Sequence, residues 1–333
     1  FEEQLQMSPL RLTFLGRKDR YDEIDDVSEA GIRRQREWLE ASVREMEAEF
    51  DYDRLEPEAQ LSWDLWKKQY ESARDGMPFL LHGYAFNQMG GMHTMAPTFL
   101  INFHRVDDES DYLAYVARLR ALPRLFDTLV ERGRRSSAAG IRAPKFAHEG
   151  VIDQSRKVIT GAPFDDGADS ALWADAQAKA DALVAAGTID AARAGALKDD
   201  ARKALLEDVG PAYERIIAFS TEELPAAAEN PSGVGSTHPD GAAYYAYQLK
   251  QNTSTAMGAE EIHALGLSEV ARLRGELEKV QARIGFEGDL QAFFAHVQSD
   301  PARLYPNTDA GRQAYIDDAT AAIDNIRQYL PEY

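Results

Sequence analysis

Cysteine is absent from the 333-residue chain. That one absence excludes disulfides, thiolate zinc sites and cysteine nucleophiles. It fits a reducing or an oxidising compartment equally well. Positive charge is scarce as well: 37 Lys and Arg stand against 56 Asp and Glu, a formal net charge of −19. A surface this acidic repels phosphate backbones and anionic lipid, so neither nucleic acid nor a membrane surface is expected as a partner. No apolar run approaches the ~20 residues of a membrane-spanning helix. The opening "FEEQLQMSPL" has neither an initiator Met nor a basic-then-apolar signal, and reads as a trimmed or mature product.

The common catalytic motifs are missing too. The zinc-hydrolase pattern His-Glu-x-x-His does not occur. Its nearest approach, His148-Glu149, continues as Gly150-Val151-Ile152. The seven histidines include no pair at four-residue spacing. There is no Gly-x-Ser-x-Gly elbow, no phosphate-binding Gly-x-x-x-x-Gly-Lys loop and no repeat of fixed period. Strand signals are few; the best candidate is "SRKVITGAPF", residues 155–164.

What is present is helical periodicity, and the fold class expected from it is all-α. Residues 28–50 start at Ser28, a candidate N-cap, and place Ile32, Leu39, Val43, Met46 and Phe50 on one stripe. Residues 57–74 open with Pro57 in the first turn and carry Leu61, Leu65, Trp66 and Tyr70. The segment after Ser110 reads as helix with a break or kink at Pro123. Residues 169–228 read as two or three helices, with turns at "AAGTID" and at Val209-Gly210-Pro211. From Ala259, the residues Ile262, Val270, Leu273, Leu277, Val280 and Ile284 mark a long amphipathic helix that stops at Gly285. Residues 289–299 and 309–330 give two more helices. Irregular regions are expected at about 76–104 and 229–241. No linker divides the chain, which reads as a single helical domain over 1–333.

Two segments carry candidate chemistry. In Asn87-Gln88-Met89-Gly90-Gly91-Met92-His93, two amides and an imidazole surround glycines that let a backbone approach closely. Asn87, Gln88 and His93 are therefore candidate substrate contacts, against the plainer reading of a capping loop. In "GAAYYAYQLKQNTSTAMGAEEIHALG", residues 241–266, three tyrosines and a lysine precede Glu260-x-x-His263. Tyr244, Tyr245 and Lys250 suit a carboxylate or a developing oxyanion. Glu260 and His263 have metal-ligand spacing, but a di-iron bundle needs a second copy and two further glutamates. The plainer reading is a helix start favoured by two acids at its N-terminus.

Residues 240–280, together with "FNQMGGMHTMAPTFLINFHRVDDESDYLAYVARLRALP" at 86–123 and "GFEGDLQAFFAHVQSDPARLYPNT" downstream, resemble the bacterial domain-of-unknown-function family 885. One departure is Met257-Gly258-Ala259, where the family tends to have a Thr-Pro helix start. The resemblance implies a helical, zinc-dependent peptidase-like hydrolase, with its zinc motif in a second half beyond Tyr333. On that reading this chain is the N-terminal half. It holds no metal or catalytic residue of its own, supplies one cleft wall for a peptide-like small substrate, and has the missing catalytic half as its partner. Zinc would be the cofactor of the complete protein, and a periplasmic or extracellular location is implied. Residues 84–104 and 241–253 should then share one concavity beside an exposed apolar patch. The rival readings are a non-catalytic helical binding module and a metal-binding bundle using Glu260 and His263.

Overall fold

The computed structural model describes residues 1–330. It is all-α, and among the described residues no sheet forms. Among the described residues the β-bridges are the isolated pairs Asn87–Gly90 and Ala162–Asp169. Where strand was sought, Lys145–Val158 is helical through residue 158 and the chain then turns. The chain divides into two compact units, Phe1–Thr255 and Ala256–Tyr333.

The first unit begins with the short helices α1 (Glu2–Gln6) and α2 (Pro9–Phe14), followed by the pair α3 (Glu29–Glu49) and α4 (Pro57–Gly76). Ser28 caps α3 as its position suggests, its Oγ accepting from the Gly31 N–H at 3.0 Å. Trp38 and Trp66 meet edge to face at 5.9 Å, and the Trp66 indole donates to Ser42 Oγ at 3.2 Å. The stripe expected to bury α4 does not do so: Leu61 and Leu65 are exposed and the helix has no fully buried residue.

Next come α5 (Met92–Asn102), α6 (Glu109–Ala138), α7 (Lys145–Val158), α8 (Ala171–Ala185), α9 (Ala191–Ala204) and α10 (Gly210–Glu223). The core gathers on α6. A reciprocal box between Asp108 and Asp111 starts it, and the helix then runs uninterrupted through Pro123. Its fully buried face includes Tyr112, Tyr115, Leu119 and Phe126. The hydroxyls of Tyr112 and Tyr115 donate to the carbonyls of Ala176 and Leu172 on α8, at 3.0 and 3.4 Å. Phenol rings can therefore lie in this core without an unpaired donor.

Two irregular segments expected from Gly and Pro are helical. Over 92–102 the chain is helix in spite of Pro97. Pro97 has no N–H for the carbonyl four residues back, that of His93. The buried Tyr213 hydroxyl donates to that carbonyl instead, at 2.6 Å. At 209–211 no turn forms. Leu205–Val209 is a π-helical segment that carries α9 into α10, and the register change falls where Pro211 lacks a donor. The remainder of this unit is α11 (Val234–Thr237) and α12 (Gly241–Thr253).

Close packing at α6 gives a direct test. A Cβ at Gly133 would lie 2.6 Å from the ring of Phe219, which is itself buried. Gly133→Ala gains roughly 1 kcal/mol of helix propensity but overpacks the core by about 1–3 kcal/mol. The expected result is a lower urea midpoint at unchanged slope; a midpoint above wild type would show that Phe219 moves aside freely.

The second unit contains α13 (Ala259–Arg283), α14 (Leu290–Ser299) and α15 (Asp309–Arg327). Gly285, at φ +72°, ends α13 as the sequence indicates. The centre of this unit is small. Phe286 packs on Phe293 at 5.5 Å and on His296 at 5.1 Å, and Gln281 donates to the Gly288 carbonyl at 2.5 Å. Phe293 is the one buried large apolar side chain among its described residues.

Candidate functional site

The two candidate segments do different work. Asn87 builds its own turn: its Oδ1 accepts the Met89 N–H at 2.9 Å and its carbonyl accepts the Gly90 N–H at 3.2 Å. Gln88 lies over Gly150, where a Cβ would come within 2.5 Å of the Gln88 Cβ. His93 is completely buried. Its Nε2–H donates to Gln154 Oε1 at 2.8 Å, and Gln154 Nε2 donates in turn to the Gln88 carbonyl at 2.8 Å. Burial lowers the His93 pKa and keeps the ring neutral. Its Nδ1 has no hydrogen-bond partner. Gln154, a residue no sequence motif singled out, ties the His93 ring to the Gln88 backbone.

The tyrosine segment joins a different neighbour. On α12, Tyr244 packs on Phe79 at 5.6 Å and on His82 at 4.9 Å, and its hydroxyl accepts from Gln248 Nε2 at 2.7 Å. Tyr247 donates to the Ser72 carbonyl at 3.3 Å, and Lys250 pairs with Asp75 at 3.5 Å on the surface. Tyr245 remains partly exposed. The His82 Nε2–H donates to the Pro239 carbonyl at 2.9 Å, and His238 Nε2 pairs with the Tyr84 hydroxyl at 3.0 Å. The structure thus brings Tyr244 and Lys250 to residues 72–84, not to Asn87, Gln88 and His93. None of the cavities described below is lined by members of both groups. The sequence signal for His82 and His238 was only their place beside irregular, Gly- and Pro-containing stretches.

The metal-binding reading of Glu260 and His263 gains no further ligand. Among the described residues no three His, Asp or Glu side chains converge on a metal position. His82 and His238 stand with their ring centroids 6.3 Å apart, and their hydrogen-bond partners are the Pro239 carbonyl and the Tyr84 and Thr237 hydroxyls, with no carboxylate among them. Glu260 and His263 are exposed at the start of α13.

Two other features have the form of binding surfaces. One is a cavity of about 480 Å³ among α1–α4, next to a more polar one of about 370 Å³. The other is an apolar face of the second unit. Val270, Leu273, Leu277, Val280 and Ile284 on α13 are 36% to 67% exposed. On α15 and just beyond it, Ile316, Ile323, Ile326 and Leu330 are 53% to 59% exposed. The α13 stripe advances by threes and fours and the α15 stripe by seven, three and four, which is the seam of a helix meant to pack against another helix.

The class these observations define is that of an all-α protein with an exposed apolar stripe. The chain belongs to a family described as bacterial proteins of unknown function, domain-of-unknown-function family 885, whose pattern matches residues 9–333. No curated protein matches it. A crystal structure described as a "putative lipoprotein from Colwellia psychrerythraea" is 19% identical and superposes with a TM-score of 0.81, covering 98% of this chain. The match spans 58% of that protein's length.

These findings overturn one expectation. The family resemblance implies the N-terminal half of a zinc-dependent peptidase-like protein. The family pattern instead runs along essentially the whole chain, and these residues fold into compact units.

Proposed function

We propose that the chain is a non-catalytic docking scaffold, and that residues 259–330 receive a helical, apolar protein surface with basic flanks. The observation that carries this is the uncovered pair of stripes on α13 and α15. Ordering a residue costs roughly 1–2 kcal/mol of backbone entropy. A unit that buries one large apolar side chain recovers little of that by itself, so the missing burial has to come from a partner. Three-and-four spacing fits a helix as that partner. Charge sets its flanks: residues 256–330 carry twelve acidic against seven basic side chains. We propose that the scaffold works outside the cytoplasm. The support is the lipoprotein description of the solved relative, together with the observation that no described helix is long and apolar enough to cross a membrane.

The test uses a labelled synthetic helix with Leu and Ile at heptad positions and Lys on the flanks, titrated into the full chain and read by fluorescence anisotropy. Saturable one-to-one binding is expected. It should fall about tenfold or more in Val270→Glu/Leu273→Glu, since each buried charge costs several kcal/mol unless paired. A scrambled-stripe peptide of the same charge should not bind. Equal binding of the scrambled peptide would reduce the effect to charge alone. A concentration-dependent dimer in sedimentation, lost in the same variant, would make the occupant a second copy and overturn the reading.

A further inference from the structure

The cavity among α1–α4 lies wholly within the first unit and is independent of the docking face. Its volume of about 480 Å³ falls inside the ~300–1,000 Å³ range of small-molecule sites. The walls divide by chemistry. Trp38, Leu39 and Met77 supply apolar surface. Gln4, Gln35 and Gln69 supply amides, and Arg11 a guanidinium.

The polar groups are not used up by the fold. Asp25, also on the wall, is committed: its two oxygens accept from Ser8 Oγ at 2.8 Å and from the Leu10 N–H at 3.0 Å. Arg36 is committed to Glu40 at 3.2 Å. Among the described residues no side-chain partner is present for Arg11 or for the three glutamine amides. The neighbouring cavity, which shares Met7 and Gln35, adds Arg20, Arg34 and Arg124 against Glu23 and Asp26. The two together are lined by five arginines and three carboxylates. On a chain of net charge −19 these walls carry a local positive excess. A concave, low-dielectric wall concentrates such a field on whatever enters.

We infer that this cavity binds a small organic anion: a molecule with an apolar body against Trp38, Leu39 and Met77 and a carboxylate-type group on Arg11. The amides take neutral polar substituents, because an amide can donate and accept without selecting a charge. A guanidinium selects a carboxylate by its paired N–H geometry. Arg11 is on the surface, so its replacement leaves the fold intact.

The test compares two probes with one body, 4-phenylbutyrate and 4-phenylbutylamine, by calorimetry on the full chain. The carboxylate should bind one-to-one and at least about tenfold more tightly than the amine, the scale of one charge-assisted hydrogen bond. Arg11→Gln should abolish that preference, and Arg11→Lys should keep part of it. Ala73→Trp, which fills the cavity, should abolish binding of both probes. Equal affinity for acid and amine, an unchanged preference in Arg11→Gln, or no binding of the carboxylate at millimolar concentration would each overturn the assignment.

Discussion

Replacing Arg118 by methionine is expected to cost roughly 3–5 kcal/mol, the scale of leaving a buried charge network broken. For a domain whose whole stability is about 5–15 kcal/mol, that approaches unfolding. Arg118 lies on α6 with no solvent contact, yet no carboxylate pairs with it. Its Nε donates to the Glu23 carbonyl at 2.8 Å, Nη1 to His104 Nδ1 at 2.9 Å, and Nη2 to Thr13 Oγ1 at 2.8 Å. The rings of Tyr21 and Phe99 face its cation at 4.8 and 5.2 Å. Burial lowers the guanidinium pKa to about 10, which still leaves it charged at neutral pH. One side chain thus ties the first 25 residues to the core helix. Methionine fills the space and leaves the carbonyl and imidazole acceptors unpaired. Amide hydrogen exchange should show residues 2–25 losing protection first. A stability within 1 kcal/mol of wild type would mean that water or a rearranged segment satisfies those groups.

Acid is expected to destabilise the protein well above the range in which carboxylates titrate. His104 is buried, donates from Nε2 to the Asp111 carbonyl at 2.9 Å, and accepts at Nδ1 from Arg118. Burial is the main cause, with the Arg118 cation adding to it, that holds its pKa down at about 3. His93 and His148 are lowered by burial in the same direction. The unfolded chain takes up these protons near pH 6.5 and the folded chain does not. Stability is therefore complete above that pH and declines as the pH falls from about 6.5 toward 3. At ~1.4 kcal/mol per pH unit, His104 alone accounts for roughly 5 kcal/mol across the window. Urea titrations at pH 8, 6 and 4.5 should show the decline, and His104→Gln should flatten it. A flat profile from pH 8 to 4.5 would mean that the ring is solvated or differently paired.

The secondary structure was legible because it is written locally. Ser28, Pro57 and Gly285 sit where a helix end needs an acceptor, a missing donor or a left-handed residue, and helix ends fall beside them. The long stripe from Val270 to Ile284 likewise gave a helix. Periodicity tells which face of a helix is apolar; it does not tell what covers that face. The same kind of stripe buries Leu39 and Val43 on α3 and leaves Leu273 and Ile284 in solvent on α13, and only the tertiary structure separates the two cases. Proline misled for a related reason. Its local rule counts one lost hydrogen bond, whereas the orphaned His93 carbonyl is satisfied by Tyr213, 120 residues away. Asn87, Gln88 and His93 stand out for their chemistry, but the His93 ring is buried against Gln154 and Asn87 closes its own turn. The unpaired Arg11 guanidinium and the free amides of the α1–α4 cavity come from segments that no motif connects. Sequence spacing fixed what each residue could do. Which of them still had a partner to find was decided by packing among distant segments.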